Sequence, residues 1–271
     1  VLRMNIVLTR EAFIEWEDYD LNSYLMWITI RILNKYDPDA RQPLIDLILD
    51  TAGQKGTGKW TSQAALDLGI PIPTIDAAVT SRQISAQKAL RVEIAKKFQA
   101  PANGFKVVPR AELEEVRSAL YTGFILAYEQ GFSLLRAASE ENNYGLEMEK
   151  VAAVWRFGSI IWSKVLHQIR DAYVAEPGLS SLLLDEKFSD ILYKNAAGLR
   201  RVVSSMSSAR VPAASLGASL NYYTAFRTER LPAFLIQAQR DFFGAHTYQR
   251  IDKEGTFHTD DWEDPTITKP K

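Results

Sequence analysis

The sequence predicts an all-α protein, one large multi-helix domain followed by an irregular C-terminal tail. Three observations carry this. Apolar residues recur at helical spacing along most of the chain, the alternation expected of strands is almost absent, and short Pro- and Gly-rich breakers divide the chain into segments of helix length.

The elements follow in order. "LNSYLMWITIRILNKY" sets Leu21, Leu25, Ile28 and Ile32 on one helical face. After the breaker "YDPDARQP" comes the apolar run "PLIDLILD", then the glycine-rich "GQKGTGKW". "TIDAAVTSRQISAQKALRVEIAKKF" reads as a helix with Thr74 as its cap and Asp76 in its first turn. Beyond the breaker "QAPANGF", "ELEEVRSALYTGFILAYEQGFSLLRAASE" is a long proline-free helix with Leu113, Val116, Leu120, Phe124, Ala127 and Phe132 as its apolar positions. "MEKVAAVWRFGSIIWSKVLHQIRDAY" predicts a further helix. "SLLLDEKFSDILYKNAAGLRRVVSSMSSA" predicts another, with a break expected near Gly198. "GASLNYYTAFRTERL" and "LPAFLIQAQRDFFG" close the helical part at about Gly244. The rest is polar with scattered aromatics, so residues 1–244 are expected to form the helical domain and 245–271 the tail.

Composition limits the function. Hydrophobic residues make up 46% of the 271, enough for a large core, and charged residues at 24% are ordinary for a soluble protein. The net charge of -1 supplies no global field for nucleic acid or anionic lipid, so an anion site must be built locally. The chain has no cysteine, which removes disulfides, thiolate metal sites and thiol nucleophiles. No apolar run approaches the roughly 18 residues that span a bilayer, and "VLRMNIVLTREAF" lacks the pattern of a signal peptide. A cytoplasmic protein with neither nucleic acid nor membrane as partner is expected.

"GQKGTGKW" nearly repeats a nucleotide-phosphate loop. The position that should carry a magnesium-binding hydroxyl holds Trp60, and Thr61 is displaced by about 100° on a helix. The alternating strands of a P-loop fold are also missing. Gly53, Gly56 and Gly58 let amides turn toward an anion, and Lys55 and Lys59 add charge. A local anion site and a plain glycine-rich turn both remain open on these residues alone.

"ILDTAGQKGTGKW", Ile48 to Trp60, resembles the signature of the 6-phosphogluconate dehydrogenase family and meets each of its fixed positions. "LNSYLMWIT", "YEQGFSLLRAA", "WRFGSIIWS", "LPAFLIQAQRDFFGAHTYQRID" and "GTFHTDDW" are similar to further family segments in the same order. The resemblance implies the all-α C-terminal domain of these enzymes. It implies oxidative decarboxylation of 6-phosphogluconate to ribulose 5-phosphate with NADP, in the pentose phosphate pathway. It assigns Lys55 and Arg82 to the substrate phosphate. Arg240 and His246 match the pair that a second subunit contributes, the first to the phosphate and the second to the sugar-acid chain. A homodimer with a shared active site follows, its tail packed on the partner subunit.

Other family features have no counterpart here. The Gly-x-Gly-x-x-Gly turn is missing, as is the segment resembling "KMVHNGIEY" with its lysine base and glutamate acid. "WEDYDLNS" and Trp162 also depart from the usual pattern. No catalytic residue is therefore expected in this chain, and the N-terminal NADP-binding Rossmann domain is expected to be absent. NADP belongs to the full-length enzyme and is not expected to bind this chain tightly. A fragment, one half of a split enzyme with a separate NADP-binding domain, and a stand-alone sugar-phosphate binder or non-enzymatic dimer module all stay open. No metal site is expected. His167 reads as a helix-surface histidine, and His258 with Asp260 and Asp261 has too few converging ligands.

Overall fold

The computed structural model describes residues 6–53, 55–98 and 110–262. The breaker "QAPANGF" and tail residues 263–271 lie outside the described residues. The chain falls into two compact units, Val1–Tyr223 and Thr224–Lys271.

The first unit opens with α1 (Ile6–Glu17) and α2 (Tyr24–Asn34). Ser23 caps α2 by accepting the Met26 amide at 3.1 Å, which starts the helix at the serine of "LNSYLMWIT". A two-residue antiparallel pair, β1 (Tyr36–Asp37) with β2 (Gln42–Pro43), and a short 3-10 turn (Leu44–Leu47) lead to α3 (Thr57–Asp67), α4 (Pro73–Ala86) and α5 (Lys88–Lys97). Then come α6 (Arg110–Asn142), α7 (Met148–Trp155), α8 (Val165–Ala175), α9 (Glu186–Ser208) and α10 (Ala214–Phe226). The predicted all-α class is what the structure has.

The core is built on α6, whose 33 residues run about 50 Å at 1.5 Å per residue. Its Ile125, Leu126 and Phe132 are fully buried with Leu192 and Leu199 of α9 and Leu166 and Ile169 of α8. Each such side chain contributes roughly 1.5–3 kcal/mol by leaving water. The break expected near Gly198 does not occur. That glycine is buried inside an unbroken α9, and a Cβ there would stand 3.0 Å from the Ser118 Cβ and 3.2 Å from the Glu115 carbonyl of α6. Its small size permits a close helix crossing.

Three further helix expectations are corrected. "MEKVAAVWRFGSIIWSKVLHQIRDAY" forms α7 and α8 with an irregular link, because the link pairs with the start of α2. Tyr24 N donates to Trp162 O at 3.0 Å and Lys164 N to Asn22 O at 2.8 Å. "TIDAAVTSRQISAQKALRVEIAKKF" breaks at Gln87 into α4 and α5. The carbonyl of Ser85, near the break, accepts the Arg91 guanidinium at 3.0 Å. Thr74 is not the cap of α4. The helix begins at Pro73, and the Thr74 amide is satisfied by Gln130 Oε1 of α6 at 2.9 Å.

Glu129, beside Gln130, is also buried on α6. It accepts the Ser181 hydroxyl at 2.5 Å and the Leu182 amide at 2.7 Å, which caps the 3-10 turn Leu182–Leu184. Two neighbouring polar residues of one core helix thus satisfy the ends of two other elements.

The second unit holds α11 (Ala233–Gly244) and an antiparallel pair, β3 (Tyr248–Gln249) with β4 (Thr256–Phe257). The unit boundary lies within α10, so α11 groups with the tail, whereas the sequence pattern changes at Gly244. The tail expected to be irregular contains this hairpin, turned through Gly255 at φ 113°. Among the described residues no helix is long and apolar enough to cross a membrane.

Candidate functional site

The signature loop is placed by its own residues. Gly56 caps α3 at φ 110°, a left-handed conformation that costs a glycine little. A Cβ there would also meet the Trp60 ring at 3.6 Å, and the Trp60 amide donates to the Gly56 carbonyl at 2.9 Å. Glycine and tryptophan four apart therefore form one local unit. Gly58 lets α3 approach α4, since a Cβ would stand 3.0 Å from Val79 Cγ2. Ser62 joins the same two helices by donating to Asp76 at 2.6 Å. Thr61 gives its hydroxyl to the Thr57 carbonyl at 2.8 Å, which is not the arrangement of a magnesium ligand.

Lys55 precedes this N-terminus and is exposed. The start of α3 presents unpaired amides and the positive end of the helix dipole, so lysine and helix favour the same anion. Arg82 lies on α4, also exposed. Neither side chain has a hydrogen-bond or ion-pair partner among the described residues. Both cations are available to a ligand.

A clamp that sequence reasoning missed ties this loop to α4 and α5. Asp50 pairs with Lys88 at 2.5 Å and Arg91 at 3.0 Å. Hydrogen bonds from Lys88 and then Arg91 hold its carboxyl down to about 2. Arg91 also donates to the Asp50 carbonyl at 3.1 Å. The Ala52 amide donates to Ser85 Oγ at 2.9 Å, and that hydroxyl donates to the Arg82 carbonyl at 2.7 Å. Lys88 and Arg91 are thus occupied by Asp50. The signal was the fixed aspartate of the signature, but its partners lie across a helix break that periodicity did not show.

Arg240 and His246 lie in the second unit. Arg240 is exposed on α11 and donates to Gln237 at 3.1 Å. His246 is exposed between two residues with left-handed backbone, Ala245 at φ 49° and Thr247 at φ 62°. Its ring meets Phe243 edge-on, with centroids 5.9 Å apart. Beside it, Asp241 is fully buried. The structure thus groups Lys55 with Arg82 in one unit and Arg240 with His246 in the other.

The remaining histidines have other places. His167 is exposed on α8, and burial followed by the nearby Arg156 and Arg170 lowers its pKa. His258 sits between Asp241 at 2.8 Å and Asp260 at 3.1 Å, with the Asp241 bond raising its pKa. An apolar cleft of about 720 Å³ in the first unit is lined by Trp60, Ile75, Phe124, Leu134, Trp155 and Trp162 among others. None of the predicted ligands lines it.

The family model described as 6-phosphogluconate dehydrogenase, C-terminal domain, matches residues 1–262. The chain belongs to this family. It is 47% identical over 265 residues to the NADP(+)-dependent, decarboxylating 6-phosphogluconate dehydrogenase of Bacillus subtilis, covering 96% of this chain and 56% of that protein. It is 44% identical over 260 residues to the decarboxylating 6-phosphogluconate dehydrogenase of Lactococcus lactis, covering 96% of this chain and 55% of that one. The fold is similar to Plasmodium falciparum 6-phosphogluconate dehydrogenase with a TM-score of 0.89 and 40% identity, over 93% of this chain and 54% of the other. That protein is described in its apo form, with its cofactor NADP+ and with its substrate 6-phosphogluconate. The chain spans about half the length of the curated relatives it matches.

Proposed function

We propose that this chain is the substrate-binding and dimerising part of an NADP-dependent, decarboxylating 6-phosphogluconate dehydrogenase. The observation that carries the reading is the signature loop. It presents Lys55 at the N-terminus of α3 and is tied through Ser85 to the helix that bears Arg82. In this reading Lys55 and Arg82 bind the phosphate of 6-phosphogluconate, Arg as a planar fork and Lys as a point charge. Arg240 adds a third cation and His246 contacts the sugar-acid chain. Fixing the remote phosphate orients the carbon that reacts.

The described residues do not suit NADP. Their named strands are two antiparallel two-residue pairs, and a dinucleotide cradle needs a parallel β-α-β unit with a glycine-rich turn. The redox step is assigned to a nucleotide-binding domain, and this chain contributes binding and orientation.

A homodimer with the site shared between subunits fits the division of the four ligands between two units. The exposed apolar side chains of α11 support it too. Phe234, Leu235, Ile236, Phe242 and Phe243 are each more than half exposed on one 12-residue helix. A surface of that kind marks a contact region, and the tail after Gly244 is assigned to the partner subunit.

Calorimetry tests the phosphate reading. 6-Phosphogluconate should bind more weakly as salt rises, and gluconate far more weakly still. Lys55→Ala and Arg82→Ala should each cost roughly tenfold in affinity, the lower end for a charge-assisted bond at an exposed position. Equal affinity for the two sugar acids would sink the phosphate role.

A further inference from the structure

Asp241 lies next to Arg240 in sequence and has no exposed surface, yet it carries a carboxylate. Four donors converge on it. Oδ1 accepts the Thr247 amide at 2.9 Å and His258 Nδ1 at 2.8 Å. Oδ2 accepts the Thr259 amide at 3.0 Å and Trp262 Nε1 at 2.9 Å. Its backbone carbonyl accepts the Ala245 amide at 2.9 Å. Asp241 therefore holds the chain on both sides of His246.

Gln237, one helical turn before Asp241 on α11, holds the same backbone. Gln237 donates to the Thr247 carbonyl and accepts from Arg240. Arg240, Gln237, Thr247 and Asp241 thus form one connected set around His246. The conformation they maintain is unfavourable in isolation, since Ala245 and the β-branched Thr247 both have positive φ. Gly244 leaves room for the result, because a Cβ there would stand 2.8 Å from Cδ2 and Nε2 of the His246 ring. Such strain persists only where the surroundings over-determine it, and the buried carboxylate is part of those surroundings.

We propose that Asp241 is a positioning residue, whose buried carboxylate fixes the turn at residues 245–247 so that His246 is presented to the sugar-acid phosphate. This rests on the reading of Arg240 and His246 as substrate ligands. Asp241 does not touch substrate. It acts through His246, and the bonds to Thr259 and Trp262 anchor the tail to the same carboxylate.

A double-mutant cycle on the full chain, read by calorimetry with 6-phosphogluconate, separates positioning from general stability. Asp241→Asn replaces one accepting oxygen with a donor, so it cannot serve all four partners. Asp241→Asn and His246→Ala should each weaken binding by a similar factor, roughly five- to tenfold, and the double variant should bind no worse than His246→Ala. Losses that multiply, or wild-type affinity in Asp241→Asn beside a weakened His246→Ala, would overturn the positioning role. Wild-type affinity in His246→Ala, or no binding by the unaltered chain, would instead overturn the ligand reading. Should Asp241→Asn not fold, hydrogen exchange in the unaltered chain decides. A slowly exchanging Thr247 amide supports the role, and exchange at open-loop rates refutes it.

Discussion

The Ala52 amide donates to the hydroxyl of Ser85 at 2.9 Å, and that hydroxyl donates to the carbonyl of Arg82 at 2.7 Å. One serine therefore links the loop that carries Lys55 to the helix that carries Arg82. Ser85→Ala should speed amide exchange in the loop around Lys55. It should also weaken 6-phosphogluconate binding by roughly fivefold, the equivalent of one hydrogen bond, without lowering helix content. Unchanged exchange and affinity would show that the loop is held by Asp50 with Lys88 and Arg91 alone.

The shared site can be tested by complementation. Lys55→Ala and Arg240→Ala subunits are mixed and the heterodimer is isolated. If the site is built in trans, one of its two sites lacks both cations and the other keeps both. Half the sites should then bind 6-phosphogluconate with unaltered affinity. A heterodimer no better than either mutant homodimer would place Lys55 and Arg240 of each site within one chain.

The second unit should have a pH window. Burial raises the Asp241 pKa, but the bonds from His258, Thr259, Trp262 and Thr247 outweigh it and hold the carboxyl at about 2, below its ordinary 3.8. A depressed carboxyl contributes stability that is present above pH 3.8 and lost as pH falls toward 2. The Asp241 bond, followed by coulombic attraction, raises His258 above its ordinary 6.5. Its contribution is full below 6.5 and is lost as pH rises through the raised value. The Trp262 indole N–H resonance should be steady between about pH 4 and 6.5 and should shift outside both limits. A titration that is flat above pH 6.5 would show that His258 does not couple to Asp241.

Two glycines of the core helices should respond in opposite directions. Gly198→Val drives a side chain into Ser118 and the Glu115 carbonyl, and overpacking of this kind costs roughly 1–3 kcal/mol. Gly131 on α6 has nothing within 4 Å of its Cβ position, so Gly131→Ala should stabilise by roughly 0.5–1 kcal/mol. Denaturant midpoints measure both, and equal effects would contradict the close α6–α9 crossing.

Glu129 gives a stability test independent of the ligand site. Glu129→Ala leaves the Leu182 amide and Ser181 hydroxyl without their acceptor, at about 1–3 kcal/mol for each group that stays buried and unpaired. Glu129→Gln keeps an acceptor and should lose less. Equal losses would show that the node acts by packing alone.

The helical class, the long α6 and the signature loop were legible in the residues, whereas the four candidate ligands came from the resemblance to the family and stand as a proposal. Helical period and short motifs are local properties, and a helix or a glycine turn is determined within a few neighbours. Whatever depended on distant partners was not legible. Gly198 looked like a break because glycine is a poor helix former, but contact with Ser118 on α6 gives it a packing role. The link between α7 and α8 looked helical because its apolar spacing allowed it, while pairing with Asn22 and Tyr24 required extended backbone. Nothing in the helical pattern of "LPAFLIQAQRDFFG" singles out Asp241. Only the tertiary structure brought Thr247, His258, Thr259 and Trp262 onto its oxygens, because a buried charge persists only where donors from separate segments converge to replace the water it has lost.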